Sequence, residues 1–194
     1  ATENLIVEQR KVSTASFDVK NRVLTLPILD KNLSSNLYDL FTGHEVGHAL
    51  YTPLEGMIKV KSEKINPDVV NVVEDSRIER KVKYKYPGLK NSFARAYKEL
   101  MDMDFFGVEG KDINQMNFLD RINLHCKGGA GLNIQFNDTE KELLNEVENT
   151  ETYEEVIETS KKIIEYMKQQ IKQEQQNKVK VKLLKPLNNI DIII

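Results

Sequence analysis

The segment His44-Glu45-Val46-Gly47-His48 sets two imidazoles four residues apart with a carboxylate between them. On a helix, positions i and i+4 lie one turn apart on the same face, so both rings can converge on one cation. Glu45 is rotated by about 100° from His44 and sits beside that face, where it can reach a metal-activated water rather than the metal. The spacing is that of a hydrolytic zinc site. The competing reading is a core helix whose two histidines are simply hydrogen-bonded. Two of the chain's three histidines fall inside this one motif, which favours the metal.

A third ligand must come from elsewhere in the chain, and the segment Asn71-Val72-Val73-Glu74-Asp75 offers one. On a helical wheel Val70, Ile78 and Asn71 are the neighbours of Glu74, which puts a carboxylate on an apolar face. A charge there needs a partner. Zinc held by His44 and His48 would supply it, giving two histidines and one glutamate with the fourth position left to water. The alternative is an i,i+3 pair between Glu74 and Arg77, common on helix surfaces. Asp75 is the reserve ligand, or it orients a ligating histidine from behind, a role also open to Asn71. For amide hydrolysis, Glu45 would serve as general base and then general acid. Tyr51, Tyr84, Tyr86 and His125 are candidate oxyanion donors, and nothing in the sequence chooses among them.

These side chains need two helices to hold them. Around His44 the wheel gathers Leu33, Leu37, Leu40, Phe41, His48 and Tyr51 within about 60°, so the histidines share an apolar stripe. Ser34 or Ser35 can cap this helix and Pro53 ends it. Gly43 and Gly47 cost helix propensity, which close approach of another backbone would explain. A loop is expected to about residue 65, with Gly56 at a turn. Asn66, Pro67 and Asp68 then form a full helix-start signal for a helix running to about Tyr84, with Pro87-Gly88 beyond it.

Upstream, residues 11–19 and 22–26 pattern as a β-hairpin, and Pro27 suggests either an exposed edge able to bind an extended peptide or a purely structural hairpin. Downstream, helices are expected over 90–102 and 113–126, with a flexible Lys127-Gly128-Gly129-Ala130-Gly131 connection. From Thr139 to about Gln175 the chain is acidic and helical, in two pieces meeting near Asn149. An apolar stripe runs from Tyr153 to Ile171. The polar stretch 169–177 has the composition of a linker.

The whole is 194 residues, 40% hydrophobic and 30% charged, with net charge −2. That suffices for one substantial core and argues against a general nucleic-acid or anionic-membrane surface. No stretch has the length and apolarity of a membrane span. Cys126 is the one cysteine, so an internal disulfide is excluded, which fits a reducing cytoplasm or simply a protein that does not use disulfides. The start at Ala1 and the Ile-Ile-Ile end suggest a fragment or processed product.

With both helices placed, HEVGHALYTP (44–53) and NVVEDSRIER (71–80) together resemble the metallopeptidase-like domain that precedes von Willebrand A domains. The resemblance extends to proteins of tailed bacteriophages and, more distantly, to cobaltochelatase-associated and nitric-oxide-reductase-associated von Willebrand A proteins. It covers roughly residues 11–126. It implies a gluzincin-like zinc fold that often precedes a von Willebrand A module, and in a phage-encoded protein a host-cell cytoplasm. No Asp-x-Ser-x-Ser signature of that module occurs in this chain.

The expected architecture is α+β, mainly α and zincin-like, with a small N-terminal sheet on a bundle that carries the His44–His48 helix. Residues 1–130 would form the metallopeptidase domain, 131–175 an acidic helical extension and 176–194 a linker or tail. The expected function is zinc-dependent peptide hydrolysis. The competing class is a non-catalytic, zinc-containing scaffold of a von Willebrand A-linked assembly, for which a base at Glu45 would have no use.

Overall fold

The computed structural model describes residues 5–12, 15–28 and 34–184, with side chains to Gln176 apart from Ala130. The fold is mainly helical with one small sheet. Strand β1 (Ile6–Arg10) pairs in parallel with β3 (Val23–Pro27), and β2 (Ser16–Asp18) pairs antiparallel on the other side, with Phe17 opposite Leu24. The expected hairpin is β2–β3. Its turn is fixed by Asp18, whose carboxylate accepts from the backbone N–H of Lys20 and Asn21, both at 2.9 Å. Two features of the sheet differ from expectation. β1 adds a strand that its own residues do not advertise, since Ile6 and Val7 stay exposed and show no alternation toward a core. The strand ending in Pro27 is central rather than an edge, and proline is accommodated there because it is the last residue of the ladder.

Helix α1 (Ser35–Tyr51) starts where the Ser34 hydroxyl accepts from the Leu37 N–H at 3.2 Å and ends at Thr52 before Pro53. Leu33 lies outside the described residues. Leu37 and Leu40 pack with Val82, Phe93, Ala96, Tyr97 and Leu100 in one of two main apolar clusters. What comes close to Gly43 is a side chain, not a backbone: a Cβ there would stand 2.9 Å from the Phe93 ring. The expected loop after Pro53 is instead helix α2 (Leu54–Ser62). Gly56 marks no turn. A Cβ at that position would stand 2.3 Å from the Tyr153 ring, so this glycine lets α2 pack against the C-terminal part of the chain.

Helix α3 (Pro67–Lys85) is the central element. Asn66 caps it, accepting from the Asp68 N–H at 2.9 Å, and Pro67 occupies its first turn. Its buried residues, Val69, Val70, Val73, Glu74, Arg77, Ile78, Glu79 and Val82, go most of the way round the helix, so charges reach its inner faces as well as its surface. Helix α4 (Leu89–Asp102) packs on α1. The helix expected over 113–126 is a 3-10 turn at Ile113–Gln115 followed by α5 (Phe118–Gly128), because Asn117 caps a new start by accepting from the Asp120 N–H at 2.9 Å.

Helices α6 (Asp138–Asn149) and α7 (Tyr153–Leu184) form the acidic C-terminal part and break at Asn149. α7 runs through the polar stretch expected as a linker up to residue 184. Its apolar stripe meets α3: Val69, Val70 and Val73 share a cluster with Phe118, Ile122, Leu143, Leu144, Val147, Val156, Ile157 and Ile163. The segment after residue 131 thereby packs against α3 in a cluster separate from the one that holds Leu37 and Leu40 of α1. No helix among the described residues is long and apolar enough to cross a membrane.

Candidate metal centre

The helical spacing of α1 brings the rings of His44 and His48 to a centroid separation of 4.9 Å, nearly edge to face. Across from them α3 presents Asp75. Its Oδ1 lies 3.5 Å from His44 Nε2 and 3.4 Å from His48 Nε2. One atom from each of these three residues falls within 4.8 Å of the others. An N–H···O hydrogen bond would draw such atoms to about 2.7–3.2 Å. A tetrahedral zinc with bonds of about 2.0–2.1 Å holds its ligand atoms about 3.3–3.4 Å apart. The observed separations match the edges of that tetrahedron better than they match hydrogen bonds.

The far nitrogens of both rings are held. His44 Nδ1 is 3.1 Å from Glu79 Oε1, and His48 Nδ1 is 3.0 Å from Thr52 Oγ1. A proton on each Nδ1 donated to these oxygens leaves the Nε2 lone pairs directed at the Asp75 side, the arrangement that metal-ligating histidines need. Glu79 is buried. It also accepts a short hydrogen bond from the Tyr97 hydroxyl and lies 3.4 Å from Lys83 Nζ. Burial alone would push the His44 imidazolium down, but the bond to Glu79 and the charges of Asp75 and Glu79 lift its pKa to about 9 when only protein surrounds it. Burial opposes the charge on Asp75 too. The close approach of the His48 ring and the charges of His44 and Lys127 outweigh it and hold the carboxyl well below the usual range.

Glu74, the expected third ligand, is not brought to the histidines. It is 2% exposed, in keeping with its place between Val70 and Ile78, and its oxygens are taken by Arg77 and Thr52. Arg77 closes on it from two sides, Nε to Oε2 at 2.8 Å and Nη2 to Oε1 at 2.7 Å, and the Thr52 hydroxyl donates to Oε1 at 2.5 Å. Arg77 also donates to the carbonyls of Tyr51 at 2.8 Å and Glu151 at 3.2 Å. The i,i+3 pair weighed against ligation is therefore the one formed, inside the protein rather than on its surface. Glu74 reaches the centre only through Thr52 and His48.

Glu45 is buried and, with His44, lines a cleft of about 130 Å³ whose other walls are Leu40, Phe41, Tyr97, Leu100, Phe105, Phe106 and Lys127. Burial raises the Glu45 carboxyl above its ordinary range, against the lowering influence of His44 and His48. None of the four candidate oxyanion donors lines this cleft. Tyr84 is 85% exposed and Tyr86 is exposed as well. Tyr51 lies under Lys81, 5.9 Å from ring centre to Nζ, and His125 is engaged by Glu148 at 3.0 Å. Asn71 is exposed beside Tyr153 in a different cleft.

Four residues at or behind the centre were not anticipated in these roles: Thr52, which follows His48 by four residues, Glu79, Tyr97 and Lys127. Glu79 had a usable signal: it follows Asp75 by four residues, so both carboxylates occupy one face of α3. Tyr97 is legible from the sequence only as part of the apolar face of α4. Lys127 Nζ, 3.3 Å from Asp75 Oδ2, comes from the end of α5 and had no local signal at all. Neither a family model, nor a curated protein, nor a solved structure matches this chain.

Proposed function

We propose that the chain is a metal-dependent peptidase in which His44, His48 and Asp75 hold a zinc-type divalent cation and Glu45 moves the proton. The observation that carries this reading is the spacing of His44 Nε2 and His48 Nε2 from one oxygen of Asp75, 3.5 and 3.4 Å, with both rings anchored from behind. It makes the centre an aspartate-ligand site. When bound, such a cation supplies Lewis acidity and a water of pKa about 7.

The chain's own residues supply the rest. Glu79 and Thr52 fix the tautomer and orientation of the two imidazoles. Glu45 stands at the cleft wall beside His44, where its carboxylate takes a proton from water and returns it to the departing amine. The apolar wall of Leu40, Phe41, Leu100, Phe105 and Phe106 excludes water and accommodates an apolar side chain next to the reacting amide. This reading keeps the two histidines and the glutamate base of the metallopeptidase-like domains that the two motifs resemble, and departs from their gluzincin-like pattern in taking an aspartate as third ligand.

The test is Glu45→Gln, which keeps the shape of the side chain and removes its basicity. Zinc content, measured by elemental analysis, should be unchanged. Cleavage of a diverse peptide pool, followed by mass spectrometry, should fall by about 10² or more. Equal cleavage by both proteins, or none by zinc-loaded wild type, rejects the peptidase and favours a zinc-containing scaffold.

A further inference from the structure

The two oxygens of Asp75 face different partners. Oδ1 is shared between the two Nε2 atoms, whereas Oδ2 accepts from Lys127 Nζ at 3.3 Å. Lys127 sits in the last turn of α5, and its side chain is only 18% exposed. It also forms part of the wall of the cleft shared by His44 and Glu45. Lys127 thus touches the second oxygen of Asp75 and also borders the cleft that His44 and Glu45 line.

A carboxylate beside a divalent cation can ligate through one oxygen or swing to use both. The second mode would add a fifth donor atom and crowd the coordination position that a hydrolytic centre leaves to water. An ammonium hydrogen-bonded to Oδ2 competes for that oxygen directly. It also opposes the approach of a second positive charge to the same atom. We propose that Lys127 is a positioning residue that restricts Asp75 to one-oxygen ligation and so keeps the position facing Glu45 free. The inference rests on the metal reading above and adds a residue that neither motif contains.

The two effects of removing Lys127 act in the same direction on metal affinity. Losing the cation relieves its repulsion of the metal, and freeing Oδ2 adds a donor atom. A residue that merely braced the structure would weaken binding when removed. This difference of sign makes the role testable without any substrate.

The probe is cobalt(II), whose visible absorption is intense in four-coordinate sites and weaker in five-coordinate ones, with zinc X-ray absorption on parallel samples. In Lys127→Met the cobalt bands should weaken several-fold and the zinc shell should gain an oxygen, while metal affinity stays equal or rises. Lys127→Arg, which restores a donor and a charge, should return the wild-type spectrum. Circular dichroism checks that each variant is folded, and Lys127→Leu, which likewise offers no donor, carries the same expectation should the methionine variant fail to fold. A folded, metal-loaded Lys127→Met with the wild-type spectrum, or with affinity reduced tenfold or more, overturns the role of Lys127 while leaving the metal centre standing. A wild-type protein that takes up neither metal overturns both.

Discussion

Helix α3 carries two neighbouring acids, Glu74 and Asp75, to opposite circumstances. On the side turned to Thr52 and Glu151, Glu74 is neutralised by a two-point contact with Arg77, and the guanidinium is itself tied to the carbonyls of Tyr51 and Glu151. On the side turned to α1, Asp75 and Glu79 face imidazoles, and the cations near them, Lys127 and Lys83, stand at 3.3 and 3.4 Å. A buried carboxylate needs compensation in either place. Where a guanidinium supplies it through both oxygens, nothing remains for a metal. Where imidazole nitrogens stand across from it at tetrahedral spacing, a metal can take the role. One side is closed and structural, and the other is open and suited to chemistry.

The largest expected effect breaks the closed side. Arg77→Met leaves the Glu74 charge buried without its partner and should cost about 3–5 kcal/mol of folding stability, read from urea unfolding of metal-free protein. Asp75→Asn in the same assay should cost clearly less, since its oxygens are engaged at 3.3 to 3.5 Å rather than by a close two-point contact. Equal losses would mean that the two sides do not differ as described.

The next effect sharpens the open side. Asp75→Asn should lower zinc affinity by more than about 10²-fold in a chelator competition, beyond the loss typical of residues behind the ligands. Glu74→Gln should lower it by about tenfold or less, acting only through Thr52 and His48. The reverse order would make Glu74 the ligand and require α3 to rotate.

The smallest of the three concerns the acid behind His44. Glu79→Gln can still accept from Nδ1 but lacks the charge, so zinc affinity should fall by about 10- to 100-fold with the fold retained. An unchanged affinity would reduce Glu79 to a partner of Tyr97 and Lys83.

Much of the scaffold was legible because its signals are local. The cap at Ser34, the Asn66-Pro67-Asp68 start and the break at Asn149 each depend on residues within a turn of one another. The α2 segment was missed because Gly56 and the polar residues around it resemble a turn, and its helix rests on Val60 and on packing against Tyr153. The polar stretch after Gln169 resembles a linker because nothing along it shows that it continues a helix docked on α3.

The sequence by itself determined that His44 and His48 share a helical face with Glu45 beside them, since a period of 3.6 leaves no other arrangement on a helix. It also placed Glu74 on an apolar face beside Val70 and Ile78. Only the tertiary structure decided which neighbouring acid meets the histidines, because α3 is enclosed on several sides and "inward" names more than one direction on it. A wheel gives angles within a helix but not the helix's rotation between α1 and α7. That rotation is fixed by long-range packing of Val73, Ile78 and Val82, by the bonds from Arg77 to the Tyr51 and Glu151 carbonyls and by the bond from Thr52 to Glu74. The same packing brings Tyr97 from α4 and Lys127 from α5 to the centre, across separations in sequence that no local pattern spans.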